Sequence, residues 1–274
     1  MCFARQKVDA LIRSRKSVLC VGLDSDLSKM PELFRAMDRP VLEFNRAVIR
    51  ATSPYAVAYK INTAFYEADG LGGLRDMEDT LTLLPPETLS IADAKRADIG
   101  NTSRKYAQAF FEHWNFDAVT VAPYMGEDSL EPFFSYEDKL VFVLCLTSNQ
   151  GSLDFEELLL EDGRPLYMAV LDKVRTWSRN CNAGVVVGAT KTERLGEIRR
   201  SAPELCFLIP GVGAQGGSLE GALQSGLDTA GAGALVNVSR GIIYPEGSFA
   251  SVAEYEAAVA LKVHALHEEM RSVL

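Results

Sequence analysis

The 274-residue chain is 47% hydrophobic, which is enough for one large core or two small ones and excludes a disordered chain. A formal charge of −9 argues against nucleic acid or anionic membrane as a general partner, so a phosphorylated ligand would need a local cationic site. No apolar run reaches the roughly 18 residues of a membrane span.

The N-terminal stretch MCFARQKVDALIRSRKS has no apolar core followed by a cleavage site. It predicts a mature, cytoplasmic start, folded as a short amphipathic helix with Val8, Leu11 and Ile12 on one face. Eight apolar runs follow: VLCVGLD (18–24), YAVAYKIN (55–62), LSIADAKR (89–96), DAVTVAPY (117–124), KLVFVLCLTSN (139–149), AGVVVGAT (183–190), LCFLIPGVG (205–213) and GALVNVSRG (233–241). Amphipathic stretches such as PELFRAMDRPVLEFNRAVIRAT and PLYMAVLDKVRTWSRN separate them, and SVAEYEAAVALKVHALHEEM closes the chain as a helix. Eight β-then-α units at this length predict an α/β fold, a (β/α)8 TIM barrel formed as a single domain over residues 1–274. A doubly wound open sheet is the rival. Of five cysteines, Cys20, Cys145 and Cys206 lie inside apolar runs, and none is in C-x-x-C spacing, so buried reduced thiols are expected.

Polar residues gather where the runs end. Asp24, Lys60, Lys95, Ser148 and Arg240 all fall at C-terminal strand ends, the face on which such barrels build their sites. The third run is the most charged, reading IADAKRADIGNT over 91–102. Alternation places Asp93 and Lys95 on one face, inward if Ile91 points inward. Asp98 lies past the strand, Gly100 lets the loop bend, and Asn101 or Thr102 is placed to cap the next helix. Structural ion pairs at a barrel rim are the plain alternative for any one of these residues. For the whole set that alternative is weaker, because desolvating alternating charges is costly. A lysine held between carboxylates stays protonated, which suits a general acid rather than a Schiff-base amine.

The seventh run leads into Gly211-Val212-Gly213-Ala214-Gln215-Gly216, a formal G-x-G-x-x-G. It follows the seventh run rather than the first, and no acidic residue ends the next one, so a dinucleotide site is the poorer reading. A phosphate monoester site fits better, with N–H groups at Gly211, Gly213, Gly216 and Gly217, the Gln215 amide and the Arg240 fork as donors. A plain βα turn is the alternative. His264 and His267 lack a nearby carboxylate cluster, and His113 beside Trp114 reads as structural, so no metal site is expected. No G-x-S-x-G or H-E-x-x-H occurs.

With these residues located, the chain resembles the orotidine 5′-phosphate decarboxylase family, most of all its longer-chain bacterial subgroup. The resemblance runs nearly end to end, through VGLDSD (21–26), YKIN (59–62), DAKRADIGNT (93–102), LTSNQGS (146–152), PGVGAQGG (210–217) and SRGI (239–242). Ala97 stands where glycine is usual, and Ser25 where proline is common. The resemblance implies that Lys95 protonates C6 of the pyrimidine as carbon dioxide leaves, beside Asp93. It implies that Asp24 and Lys60 bind the ribose, that Ser148 reads the pyrimidine edge, and that Gln215 and Arg240 hold the phosphate. It further implies a homodimer in which Asp98, with Thr102, enters the partner's site. No cofactor is implied. A magnesium-dependent sugar-phosphate decarboxylase or aldolase-type barrel and a non-catalytic nucleotide-binding barrel are the competing functions.

Overall fold

The computed structural model describes residues 3–177, 181–213 and 216–274. Its strands are β1 (Leu19–Gly22), β2 (Ala58–Asn62), β3 (Leu89–Arg96), β4 (Ala118–Val121), β5 (Leu140–Leu146), β6 (Ala183–Val187), β7 (Cys206–Ile209) and β8 (Ala234–Val238). All pair in parallel with their neighbours in chain order, and Leu19 against Val236 brings β8 back to β1 to close the barrel. The predicted barrel is therefore the one formed, and the open sheet is excluded. Every strand sits inside the run that predicted it. Continuous apolar runs suit this position, because helices cover the outer face and side chains fill the inner one.

The helices wrap the barrel by their apolar stripes. Helix Pro40–Thr52 buries Val41, Phe44, Val48 and Ile49, and the C-terminal helix Val252–Arg271 packs against it with the Tyr255 ring 5.5 Å from that of Phe44. His264 and His267 lie on that outer helix against Tyr55, whose hydroxyl shares a 3.3 Å hydrogen bond with His264 Nδ1. Helix Phe3–Arg15 forms as predicted, with Val8 and Ile12 fully or almost fully buried.

The N-terminal end of the barrel is sealed by arginines. Arg5 donates to the Glu204 and Leu205 carbonyls and to Asp9 and Asp228. Arg199, 6% exposed, lies 3.5 Å above the Phe207 ring centroid and donates to the carbonyls of Leu205, Gly226 and Gly233 at 2.8–2.9 Å. Burial pulls its pKa down to about 10. The carbonyls preceding β7 and β8 are thus satisfied by side chains where water is excluded.

Candidate active site

A cavity of about 460 Å³ opens at the C-terminal ends of the strands. Asp24, Lys60, Asp93, Lys95, Ser148, Gly211 and Arg240 all line it. The loops after β1, β5, β7 and β8 therefore converge with β2 and β3 on one space. Asp98, Thr102 and Gly213 do not line it, and Gln215 lies outside the described residues.

The charges form a chain across the cavity floor. Lys60 Nζ donates to Asp93 Oδ2 at 3.0 Å and to Asp24 Oδ1 at 3.4 Å. Lys95 Nζ donates to Asp93 Oδ1 at 2.5 Å. The lysine held between two carboxylates is therefore Lys60, and its side chain is only 4% exposed. Among the described residues the Lys95 ammonium rests on Asp93 alone, and its side chain is 47% exposed. Burial alone would drive the Lys60 ammonium to lose its proton, but Asp24 and Asp93 reverse this and raise its pKa above the ordinary lysine range. Burial would likewise raise the Asp93 carboxyl, but Lys60 and Lys95 outweigh it and hold the group far below the usual carboxylate range. The floor is thus a fixed carboxylate flanked by two cations, one sealed and one free to meet a ligand. Cys20 lies beneath, its thiol pushed up to about 12 by burial. It is a core residue rather than a nucleophile.

Lys95 reaches this position through an irregular backbone. Pairing of β3 with β4 shifts register between Ala92 and Arg96, and Lys95 takes φ +49°. A left-handed lysine costs about 1–2 kcal/mol, and such strain persists only where the surroundings over-determine it. Arg96 anchors the strand end from outside, paired with Glu67 and donating to the Ala94 carbonyl at 2.9 Å.

Beyond β3 the chain turns away. Asp98 Oδ1 accepts the Ile99 N–H at 2.7 Å, Gly100 adopts φ +52°, and Ile99 stands 62% exposed. Ile99 is the N-cap of helix Gly100–Gln108, with no side-chain bond. The expected cap by Asn101 or Thr102 is not formed, since both residues lie within the first turn. Ser25 donates to Asn45 Oδ1 at 2.5 Å, and Asn45 in turn reaches Tyr66 and Thr80 at 2.9 Å. A hydroxyl bond thereby fixes the loop after β1 where the resemblance expects proline.

The rim opposite Lys95 is polar. Ser148 Oγ is buried without a hydrogen-bond partner among the described residues, and Gly188 leaves room for it, since a Cβ there would lie 2.4 Å away. After β7, Gly211 and Gly213 take φ +99° and +75°. The expected row of free N–H donors is reduced, however. Gly213, Gly216 and Gly217 donate within the loop, to Gly217, Gly213 and Gly211 carbonyls. Arg240 opens the short helix Arg240–Ile243, lines the same cavity as Gly211 and has no ion-pair partner among the described residues.

Among the further lining residues not singled out from sequence, two polar ones lie inside strands. Asn237 on β8, 7% exposed, donates from Nδ2 to Ser239 Oγ at 3.4 Å. Its signal was legible, a lone amide inside an apolar run. Thr120 on β4 had none, because a threonine in a strand reads as a β-branched filler.

A family model described as orotidine 5′-phosphate decarboxylase / HUMPS family matches residues 17–255. A curated orotidine 5′-phosphate decarboxylase of Dehalococcoides mccartyi is 51% identical over 242 residues, covering 87% of this chain and 88% of that protein. Another, from Christiangramia forsetii, is 48% identical over 272 residues and covers 98% of each. Among solved structures, the OMP decarboxylase of Leishmania donovani has a TM-score of 0.83 at 40% identity, covering 96% of this chain and 97% of that one.

Proposed function

The chain belongs to the orotidine 5′-phosphate decarboxylase / HUMPS family, and from that membership we propose how its cavity converts orotidine 5′-phosphate to UMP and carbon dioxide, the decarboxylation that serves pyrimidine biosynthesis. The observation that carries the mechanism is the Lys60–Asp93–Lys95 chain, an ionised, largely covered carboxylate holding one ammonium toward the cavity.

Loss of carbon dioxide leaves an electron pair at C6 in the plane of the ring, where the π system cannot absorb it. Stabilisation must come from a preorganised charge aimed at that carbon. Lys95 supplies it, then breaks its Nζ–H bond as the C6–H bond forms. Asp93 fixes Lys95 and stands beside the substrate carboxylate. Lys60 keeps Asp93 ionised and, with Asp24, takes the ribose hydroxyls. The Ser148 hydroxyl, unpartnered among the described residues, reads the pyrimidine edge. Arg240 and the turn at Gly211 hold the phosphate, with Gln215 as a further donor. Phosphate binding far from C6 lowers the barrier by closing the site and expelling water.

The working unit in this proposal is a homodimer in the cytoplasm. Asp98 and Thr102 do not line their own cavity, which supports a role for them in the partner's. Apolar side chains stand exposed on three adjacent βα loops, with Ile99 62%, Tyr124 87% and Phe155 59% exposed, as a docking face would be. Cys20, Cys145 and Cys206 are buried free thiols and Cys181 is disulfide-bonded; the cytoplasm is proposed from the family's place in pyrimidine biosynthesis.

The test is the fall in orotidine 5′-phosphate absorbance with purified protein treated with EDTA. Full turnover is expected, and a requirement for added magnesium would overturn the metal-free mechanism. Lys95→Ala is expected to abolish turnover while UMP still binds. Near-normal turnover in that variant would remove Lys95 as the proton donor.

A further inference from the structure

In the irregular stretch of β3, the Lys95 N–H donates to a side chain, Thr120 Oγ1, at 3.0 Å. The same hydroxyl lies 3.0 Å from Asp93 Oδ1, the oxygen that also accepts the Lys95 ammonium. An ionised carboxylate only accepts, so the one hydroxyl proton points at Asp93 while an oxygen lone pair takes the Lys95 N–H. Thr120 is 1% exposed, so turning its hydroxyl away from these two neighbours would break both bonds where water cannot replace them. One side chain therefore ties the left-handed backbone of Lys95 to the carboxylate on which the Lys95 ammonium rests.

We propose that Thr120 is a positioning residue for the decarboxylation, setting where the Lys95 ammonium sits relative to C6 and holding Asp93 in place as that ammonium gives up its proton. The proposal rests on Lys95 as the proton donor. When the Lys95 Nζ–H bond breaks and C6–H forms, the amine becomes neutral and its hold on Asp93 Oδ1 weakens. The Thr120 hydroxyl stays on Oδ1 and Lys60 stays on Oδ2, so the carboxylate keeps its orientation through the step. Only a residue that both donates and accepts at this point on β4 can do this. Valine has the same shape and does neither.

Thr120→Val should lower kcat by about tenfold or more while KM and the UMP dissociation constant stay within about threefold, the signature of an interaction needed in the transition state rather than for binding. Thr120→Ser keeps the hydroxyl and should recover kcat to within about threefold of the parent. A purely structural role predicts a different result: both variants lose stability, and kcat changes in neither or in both alike. Wild-type kcat in Thr120→Val, equal losses in the valine and serine variants, or a loss confined to KM and UMP binding would each overturn the proposal. Should the valine variant not fold, Thr120→Ala carries the same expectation and the same overturning result. Lys95→Ala, measured alongside, separates the two claims. Residual turnover there sinks the assignment of Lys95, whereas an inactive Lys95→Ala beside an unimpaired Thr120→Val sinks only that of Thr120.

Discussion

Lys60 holds two carboxylates together from inside the barrel, at 3.4 Å from Asp24 and 3.0 Å from Asp93. Removing one partner of a buried pair costs about 3–5 kcal/mol, because the other charge stays buried. Lys60→Met is therefore expected to lower Tm by on the order of 10 °C. The loss should depend on pH. In the parent protein the Asp93 carboxyl titrates well below its unfolded value near pH 4, so its contribution to stability is present above about pH 4 and fades as pH falls through the depressed folded value. In the variant, burial is opposed by Lys95 alone, so the carboxyl moves up and that contribution is lost sooner. The Tm gap should be widest near neutral pH and narrow on acidification. Thermal melts from pH 8 to pH 3 check this, and a gap that does not vary with pH would mean that the lysine stem matters only as packing.

At the scale of elements, two strands and a loop divide the work. The start of helix Arg240–Ile243 and Gly211 line one cavity from the neighbouring strands β8 and β7, so the charge for a phosphate comes from β8 and the turn from β7. Arg240→Ala should reduce kcat/KM for orotidine 5′-phosphate by about 10- to 100-fold, the range of one lost hydrogen bond to a charged group. Orotidine without its phosphate should react equally poorly with parent and variant, and equal damage to both substrates would make Arg240 a structural residue. The strands themselves were legible in the sequence, because a barrel strand buried on both faces leaves an uninterrupted apolar run. The charged ends were legible for the same reason, since Asp24, Lys60 and Lys95 break such runs at one end. What was not legible depended on a neighbour. The kink at Lys95 exists because β4 is out of register with β3 there, and only the paired strands reveal it. The glycine loop could be read as a turn, but which N–H groups remain free depends on bonds it makes to itself. The helix start at Gly100 was misplaced because Asn101 and Thr102 have cap chemistry, whereas Ile99, which has none, occupies the cap.

For the whole molecule, the placement of Asp98 decides whether one barrel is a complete enzyme. In an isologous dimer, each site would join Lys95 of one chain to Asp98 of the other. Mixing inactive Lys95→Ala with Asp98→Ala, with subunits exchanging freely, should then return about a quarter of parent activity, since half the dimers are mixed and each mixed dimer keeps one intact site. No recovery, with exchange shown by mass spectrometry, would place Asp98 in its own chain's site. The arginine seal at the opposite end bears on a longer timescale. Arg5 and Arg199 close the barrel below β7 and β8 through bonds to main-chain carbonyls. Carbonyls are present whatever the side chains are, so this closure asks nothing of the residues at the upper rim. A lineage carrying this barrel can therefore exchange rim residues, and with them its chemistry, while inheriting the means of staying folded unchanged. Drift at the two ends is uncoupled, and descendants with different substrates should still share the lower seal.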